Sequence, residues 1–456
     1  MKLTPYPKYK DSGIEWLGKI PEGWEVKRLK YISLVRPSNV DKKTEGGETE
    51  IRLCNYIDVY NNESIDDSID FMIASATFDE IKKFRILRGD VLITKDSEEW
   101  DDIAVPSFVK GTLETVICGY HLALVRPKSG MIDGKYLFRT FQSYIVNSQF
   151  RLSANGITRY GLSKNSISSA VFLVPSLPKQ QAIADFLDHK TSKIDELIKK
   201  NEKLIELLKE KRQAIISHAV TKGIPPHPPL EKGGWGALKM KDSGIEWIGE
   251  IPERWEVKRL KYVAEIVLGK MLQNEDTGND KLKFYMRAQN IQWEVVDTND
   301  VKEMWFSDYE MKKYRLQKGD LLVSEGGEVG RTALWNGELE ECYIQNSVHK
   351  VTVDKKLANN RYLLYLLEKY GKWGYFESIV NRVSIGHLTR EKLKEIEIIC
   401  PPKNEQEQIV TYLDKKSSAI DKTIQKILSQ IEKLKEYRQA LISNVVTGKV
   451  KINEDQ

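Results

Sequence analysis

The sequence contains few cysteines, and none is placed to bind a metal or to build a disulfide framework. Its four cysteines, Cys54, Cys118, Cys342 and Cys400, form no C-x-x-C pair and lie in no Cys/His cluster. The ligand spacing of structural zinc sites and the dense cysteine pattern of small secreted domains are therefore both missing. We interpret the four residues as reduced thiols of a cytoplasmic protein.

Long apolar runs are missing as well. The opening segment MKLTPYPKYKDSGIEW lacks the apolar stretch of a signal peptide. No stretch approaches the roughly 18 uninterrupted apolar residues that a membrane-spanning helix needs. We expect a protein that stays in the cytoplasm.

Catalytic motifs are also absent. The sequence has no G-x-x-x-x-G-K-[ST] phosphate loop, no H-E-x-x-H zinc motif and no Asn/Asp-Pro-Pro-Tyr segment of the kind that amino-methyltransferases use. The glycine-rich run 326–331 lacks the spacing of a dinucleotide site. His218, His227 and His349 have no partner at a useful spacing, so we assign them ordinary surface or core roles. These absences favour a binding role without a bound metal or cofactor.

Charge of one sign is in only small excess. The 71 basic and 66 acidic residues give a net charge of +5 over 456 residues. A nucleic-acid surface is compatible with this balance only if basic residues cluster locally. With 41% hydrophobic and 30% charged residues, the chain is expected to fold.

What the sequence does contain is a repeat. Residues 10–31, KDSGIEWLGKIPEGWEVKRLKY, return at 241–262 as KDSGIEWIGEIPERWEVKRLKY with three differences in 22 positions. FRILRGDVLIT from Phe84 is echoed by YRLQKGDLLVS from Tyr314, and each predicts a Gly-Asp turn that leads into a buried strand. RQAIISHAVT from Arg212 returns as RQALISNVVT from Arg438, and the pair Ile194–Asp195 returns as Ile420–Asp421. The sequence therefore contains two copies of one module.

Between these echoes the two copies differ. NYIDVYNNESIDDS in the first copy has no evident likeness to QNIQWEVVDTND in the second. Ends that stay alike indicate that both copies perform the same function there. Middles that differ indicate either different functions or the same function on different targets. The alternative is a duplicated scaffold whose middles have merely drifted.

Each copy ends in a segment with heptad spacing, which is typical of paired helices. We predict that an antiparallel pair of long helices forms from two seams, whose helix-pairing residues are Ile194, Ile198, Asn201, Ile205 and Leu208 in the first copy and Ile420, Ile424, Ile427, Ile431 and Leu434 in the second. Asn201 stands where the second copy has Ile427. It either fixes the register of the pair or is a partly solvated seam residue.

These features predict an α+β fold with a pseudo-two-fold internal repeat. Two mixed α/β globular domains are joined by two long helices packed as an antiparallel coiled coil. The expected layout is domain 1 over 1–177, helix 1 over 178–222, a proline-rich linker over 223–240, domain 2 over 241–401, helix 2 over 402–447 and a tail over 448–456.

The order of domain, helix, domain and helix, with echoes such as SGIEWLGKIPEGWEVKRLKY and KRQAIISHAVTKG, resembles the specificity subunit of type I restriction–modification systems over essentially the whole chain. The resemblance implies a non-catalytic DNA-binding subunit, with each divergent domain reading one half of an asymmetric bipartite site. It also implies two modification subunits that carry S-adenosylmethionine and methylate adenine N6. Two restriction subunits that use ATP and Mg could join them. Two alternatives stay open: a coiled-coil scaffold that joins two partners without reading DNA, and an enzyme with its own methyltransferase site.

Residues that could contact DNA are polar or aromatic side chains near likely strand ends, because base edges are read chiefly by Arg, Lys, Asn and Gln. The candidates in the first domain are Asn55, Tyr56, Lys95, Ser97, Asn155, Thr158, Arg159 and Tyr160. Those in the second are Arg287, Gln289, Asn290, Ser324, Arg331, Gln345, Asn346, Arg382, Ser384 and His387. Tyr120, His121 and Lys350 lie in the same neighbourhoods.

Two other groups receive a structural interpretation. The acidic run of Asp96, Glu98, Glu99, Asp101 and Asp102 would repel phosphate, so it either accepts from cytosine amino groups or is a solvated loop. Trp16, Trp24, Trp247 and Trp255 lie in the repeated segment, which assigns them to a shared scaffold or partner surface rather than to base stacking.

Overall fold

The computed structural model describes residues 4–111, 113–224, 239–380 and 386–452. It divides the chain into two compact units: unit 1 comprises 1–202 and 428–456, and unit 2 comprises 203–427. Most of the linker expected over 223–240 (225–238) and the end of the expected tail (453–456) lie outside the described residues.

Unit 1 is a mixed α/β body. Its strands are β1 Tyr9–Asp11, β2 Lys19–Pro21, β3 Glu25–Arg28, β4 Ser33–Pro37, β5 Thr49–Cys54, β6 Ser64–Ile65, β7 Met72–Ala76, β8 Val91–Thr94, β9 Asp96–Ser97, β10 Pro106–Val109, β11 Val116–Cys118, β12 Leu122–Pro127, β13 Tyr160–Gly161 and β14 Val171–Val174. Its shorter helices are α1 Leu29–Ile32, α2 Tyr56–Asn61, α3 Phe78–Phe84, α4 Gly134–Phe141, α5 Tyr144–Ser153 and α6 Lys164–Ser169. The long helix α7, Leu177–Lys222, begins here and ends in unit 2.

Unit 2 repeats this plan. Its strands are β15 Met240–Asp242, β16 Glu250–Pro252, β17 Glu256–Arg259, β18 Ala264–Leu268, β19 Lys281–Met286, β20 Lys302–Phe306, β21 Leu321–Ser324, β22 Thr332–Leu334, β23 Tyr343–Ile344, β24 Val348–Val353 and β25 Glu397–Cys400. Its helices are α8 Asp308–Tyr314, α9 Asn360–Lys372, α10 Tyr375–Ile379 and α11 Arg390–Glu395, with 3-10 turns at Leu260–Tyr262 and Ala288–Asn290. The long helix α12, Lys403–Val446, begins here and ends in unit 1.

The two middles, which differ in sequence, share a strand order, to which unit 1 adds one edge strand, β6. The larger sheet runs β4-β12-β8-β10-β6 in unit 1 and β18-β24-β21-β22 in unit 2. The smaller sheet runs β11-β5-β7 and β23-β19-β20, with one parallel and one antiparallel pairing in each. The shared topology therefore extends through the regions where no sequence likeness is visible.

The predicted Gly-Asp turns are confirmed at the start of the central strands. In unit 1 the Asp90 carboxylate accepts from the Leu87 backbone at 2.7 Å, and in unit 2 Asp320 accepts from Gln317 at 2.8 Å. Gly89 and Gly319 have φ of 91° and 103°, a conformation that favours glycine. The strands that follow, β8 and β21, are buried at every position.

These central strands separate two cores, because alternate side chains point to opposite faces of a sheet. Val91 and Ile93 pack with the helices, whereas Leu92 packs towards the smaller sheet. In unit 2, Leu321 and Val323 pack with the helices and Leu322 packs on the other face.

Each long helix begins in the core of one unit and ends in the core of the other. The core of unit 1 contains the first part of α7, with Ile183 and Leu187, and the last part of α12. The core of unit 2 contains the first part of α12, with Ile409 and Leu413, and the last part of α7. The two helices are therefore antiparallel, and each copy of the module is completed by the helix end of the other.

Buried hydrogen bonds hold these helix ends in both units. The Tyr136 hydroxyl donates to Leu173 and Val446 backbone oxygens in unit 1. In unit 2, the hydroxyl of Tyr362 lies 3.1 Å from the backbone oxygen of Ile399 and 3.2 Å from that of Val220. Unsatisfied buried carbonyls are costly, so these paired bonds favour the exchanged arrangement.

Candidate nucleic-acid interface

In unit 1 several predicted residues meet where β8 continues into β9. The Asp96 carboxylate accepts from Lys95 Nζ at 3.1 Å and contacts His121 Nδ1 at 2.9 Å. Lys95 Nζ also lies 4.4 Å from the centroid of the Tyr120 ring, which is half exposed. This arrangement holds a basic amine and an imidazole against the Asp96 carboxylate, at the start of the short strand β9.

Helix α2 starts beside that strand. Asn55 is its N-cap and forms a capping box with Asp58. The Asn55 side chain accepts from the Asp58 backbone N–H, and the Asn55 backbone N–H donates to the Asp58 carboxylate at 2.7 Å. The Tyr56 ring stacks on Tyr60 with centroids 5.5 Å apart. Burial raises the pKa of the Tyr56 hydroxyl, and a hydrogen bond with Ser97 opposes that shift. Tyr56 and Ser97, two predicted residues, therefore lie close together.

The segment 155–161 forms a compact loop over this strand. Asn155 and Gly161 exchange two backbone hydrogen bonds of 3.1 and 2.9 Å, and Tyr160 pairs with Ser97 in the β13–β9 ladder. Asn155, Thr158 and Arg159 are exposed, and the charge of Arg159 lowers the pKa of Tyr56. Unit 1 thus brings predicted residues together around β9, although Ser97 itself is only 5% exposed.

In unit 2, Ser347 joins two predicted segments. Its hydroxyl accepts from the Ala288 backbone at 2.9 Å and donates to the Gln345 side chain. Gln345 also donates to the neighbouring Asn346 side chain. Sequence reasoning passed over Ser347, although its position between Asn346 and a buried strand could have indicated it.

Arg287 and Gln289 lie on the same segment. The Arg287 guanidinium binds Asp300, both at the carboxylate and at the backbone oxygen 3.2 Å away. The exposed Gln289 amide lies 3.4 Å from the same carboxylate. Arg287 and Gln289 therefore place polar groups at a solvent-facing edge of unit 2.

Three predicted residues of unit 2 instead hold the structure together. Asn290 is 2% exposed and donates to two backbone oxygens, at Asp297 and Asp300. Ser324 is fully buried and donates to Gly326. Arg331 donates to Gln292 at 3.0 Å and to the Ala288 backbone at 3.3 Å.

The remaining predicted residues of unit 2 are only partly described. Arg382 and Ser384 lie outside the described residues. His387 is exposed and stands against Gly326, where an added Cβ would lie 3.6 Å from Nδ1. Burial raises the pKa of the adjacent Glu325, a residue that the sequence reasoning did not select.

The acidic run of unit 1 has two parts. Asp96 is engaged by Lys95 and His121, and Asp102 accepts from the Tyr60 hydroxyl at 2.6 Å, which helps to raise the pKa of that tyrosine to about 12. Glu98 and Glu99 are exposed. The run is therefore braced at both ends and solvated between them.

Two further groups have structural positions. His349 is fully buried, contacts the Leu388 backbone oxygen at 2.6 Å and has a pKa lowered to about 4 by burial. Lys350 Nζ donates to the backbone oxygens of Lys313 and Arg315. Both side chains therefore support the backbone around the candidate site through contacts with backbone oxygens.

The seam residues of the long helices are at least half buried. Ile194, Ile205, Ile427 and Ile431 are between 4% and 8% exposed. The half-buried members are Ile198, Asn201, Leu208, Ile420, Ile424 and Leu434.

The echoed Arg and Asp residues pair in each unit. Arg438 binds Asp195 and Glu63 in unit 1. Arg212 binds Asp421 at 3.6 Å, Glu294 and Glu368 in unit 2. Burial and the nearby Glu294 raise the pKa of the Glu368 carboxyl.

The tryptophans of the repeated segment divide by burial. Trp24 and Trp255 are 4% and 0% exposed and pack beside Gly448 and Gly223, just after the helix ends that complete each unit. Trp247 lies in an aromatic cluster with Tyr370, and Trp16 is 40% exposed.

Within the described ranges, no group of three or more His, Cys, Asp or Glu side chains could hold a metal ion. In the same part of the chain, no helix is both long and apolar enough to cross a membrane.

The chain is similar to known proteins over most of its length. A family model described as Type I restriction modification DNA specificity domain matches it twice, at 21–207 and 252–433. The putative type I restriction enzyme MjaX specificity subunit of Methanocaldococcus jannaschii is 23% identical over 96% of each chain. The type I restriction enzyme EcoKI specificity subunit of Escherichia coli K12 is 20% identical over 95% of this chain and 90% of that one.

Solved structures show the same fold. A chain described as “Structural basis underlying complex assembly and conformational transition of the type I R-M system” superposes with a TM-score of 0.70 at 17% identity, covering 95% of this chain and all of that one. The HsdS subunit of Thermoanaerobacter tengcongensis gives a TM-score of 0.52 at 17% identity, covering 94% and 98%. The predicted α+β repeat with two antiparallel long helices is confirmed.

Proposed function

Because this chain belongs to the type I restriction–modification DNA specificity domain family, we propose that its two units read two different half-sites of one asymmetric DNA sequence. The chain is the DNA-recognition component of such a system and not its catalytic component. The family assignment does not favour the alternative of a scaffold that ignores DNA. The half-sites and the residues that read them are our proposal.

One observation carries the proposal. Four strands of the larger sheet have the same order in both units, yet the residues beside the paired ends of β8 and β12 differ from those beside the paired ends of β21 and β24. Unit 1 presents Lys95 and His121 around Asp96, whereas unit 2 presents Gln345 and Asn346 around Ser347. A constant frame with variable polar groups is suited to reading different base edges, because direct readout depends on the pattern of donors and acceptors.

Partner subunits would dock on what the two units share. Tyr31 and Tyr262 are 58% and 63% exposed, and each has a lysine amine 5.2 or 5.3 Å from its ring centroid. An exposed aromatic that occurs in both copies is suited to two copies of one partner. We assign this surface to two modification subunits that bind S-adenosylmethionine and methylate adenine N6 in the cytoplasm. Restriction subunits with ATP and Mg would join the same assembly.

The long helices would set the distance between the half-sites. At about 1.5 Å per residue, the 46 residues of α7 extend over about 69 Å, compared with about 34 Å for one turn of DNA. Inserting one heptad into both helices should lengthen the spacer in the recognised sequence and leave both half-sites unchanged.

Methylation sequencing tests the proposal directly. A strain that expresses this chain with its modification subunits should carry N6-methyladenine at a split, asymmetric motif that disappears when the gene is deleted. Exchanging residues 41–160 for the equivalent domain of a relative should change one half-site only. A motif that persists after deletion, or a change in both halves, would refute the division of labour.

Salt dependence separates the proposal from the scaffold alternative. A DNA-reading complex releases counterions from phosphates, so its affinity should fall steeply between about 50 and 200 mM salt. A scaffold that ignores DNA should show no such affinity with its partners bound.

A further inference from the structure

Two aliphatic side chains next to the candidate site of unit 1 are unusually exposed. Ile157 is 96% exposed and Leu152 is 84% exposed, the highest values among the large hydrophobic residues of the described chain. A single exposed aliphatic residue needs no explanation. Ile157, however, lies on a hydrogen-bonded loop, 155–161, that also carries polar residues suited to binding DNA.

The loop that carries Ile157 is held in place by its own backbone. Asn155 and Gly161 close its base with two hydrogen bonds, and the β13–β9 ladder ties it to β9, the strand that directly follows Lys95. A side chain at Gly156 would collide with the backbone oxygen of Arg159, so the turn depends on glycine there. Ile157 is therefore presented outward by a closed turn.

The residues around Ile157 have the chemistry of a DNA contact. Thr158 and Arg159 follow it directly and are exposed, and Asn155 precedes it by two positions. Such side chains can bind phosphates and base edges. An isoleucine among them can pair with no donor or acceptor, and it would leave a polar base edge unsatisfied.

One group in the major groove does suit an aliphatic side chain. The 5-methyl of thymine is the apolar feature of the base-pair edges, and apolar residues read it by contact. Adenine methylation, on which this inference rests through the proposed function, requires at least one A·T pair and therefore one thymine in the half-site.

We propose that Ile157 reads a thymine in the first half-site by packing against its 5-methyl group. Ile157 is then a specificity-determining residue, while Arg159 and Thr158 bind the flanking polar groups. Leu152, on the last turn of α5, lies outside the closed turn and takes no part in this contact.

Deoxyuridine tests this, because it keeps the hydrogen-bonding edge of thymine and lacks the methyl. The full chain, assembled with its modification subunits, is titrated with duplexes in which each thymine of the first half-site is replaced singly. One replacement should weaken binding about fourfold, the effect of losing roughly one buried methyl. Ile157→Ala should bind the natural duplex less tightly and should lose the penalty at that same position.

Leu152→Ala is the matched control. It removes an equally exposed aliphatic side chain and should keep the full penalty of deoxyuridine. If no single replacement weakens wild-type binding, or if Ile157→Ala retains the penalty, the inference is wrong while sequence-specific binding still supports the proposed function. Loss of all sequence preference in the wild-type complex would instead overturn both.

Discussion

The two units use the same arginine under different electrostatic conditions. Arg438 in unit 1 binds Glu63 and Asp195, whose side chains are 47% and 49% exposed. Arg212 in unit 2 binds Glu294 and Glu368, which are 27% and 3% exposed, as well as Asp421. A duplicated ion pair can therefore differ in the free energy that is needed to break it, because solvent screens Glu63 and Asp195 more than it screens Glu368.

The largest expected effect follows from that contrast. At about pH 8, above the folded pKa of Glu368, Arg212→Met leaves Glu294 and the buried Glu368 without their cation and should destabilise unit 2 by about 3–5 kcal/mol. Arg438→Met leaves the carboxylates of Glu63 and Asp195 in contact with water and should lower the stability of unit 1 by about 1 kcal/mol or less. Hydrogen exchange of α9 and of α4 under denaturant measures the two units separately. Equal losses in both variants would show that burial of the carboxylates does not decide the cost.

A second contrast concerns arginines at the candidate interface. Arg159 is exposed, whereas Arg331 is held by Gln292 and the Ala288 backbone. Arg159→Ala should reduce affinity for DNA about tenfold without changing stability, and changes in the first half-site should account for it. Arg331→Ala should lower the thermal stability of unit 2. Titration of DNA and thermal unfolding of both variants make the comparison, and an unstable Arg159→Ala protein would count against the DNA role.

The sequence predicted the repeat, the Gly-Asp turns and the two long helices, because those features are local or periodic. It did not predict which copy each helix end completes. Arg212 and Arg438 stand out as echoes, but only the fold pairs them with Asp421 and Asp195. Their partners lie 209 and 243 residues away in the chain, and no local pattern encodes such a pairing.

The candidate site could be located from the sequence, but the direction of its side chains could not. Strand-end positions with polar residues identified both Tyr56 and Asn290. Tyr56 faces the candidate surface, and Asn290 turns inward to bind two backbone oxygens. Whether an amide points in or out depends on backbone groups several residues along a loop, which the spacing of residue types does not fix.

A smaller effect distinguishes the units by pH. Unit 1 has Gln142 six residues after Tyr136, and unit 2 has Glu368 six residues after Tyr362. Burial and Glu294 raise the pKa of Glu368 above its ordinary 4.5, so folding favours its protonated form. Its stabilising contribution is present at low pH and is lost as the pH rises through the folded pKa.

Glu368→Gln should remove that dependence. The stability of the variant relative to wild type should increase by about 1 kcal/mol between about pH 5 and pH 8. The titration of His349, whose pKa burial lowers to about 4, is common to both proteins and cancels in the difference. A difference in the free energy of unfolding that stays constant with pH would mean that Glu368 is ionised throughout.

The smallest expected effect concerns the helix seam. Asn201 is half buried, whereas Ile427, at the same place in the other copy, is 6% exposed. Asn201→Ile should stabilise the protein by up to about 1 kcal/mol, because a polar seam residue costs stability. Thermal unfolding measures the gain, and methylation sequencing checks that both half-sites and the spacer are unchanged. If the substitution changed the spacer length, Asn201 would be fixing the register of the helices. If it changed neither the stability nor the spacer length, Asn201 would be a solvated position that does not contribute to helix pairing.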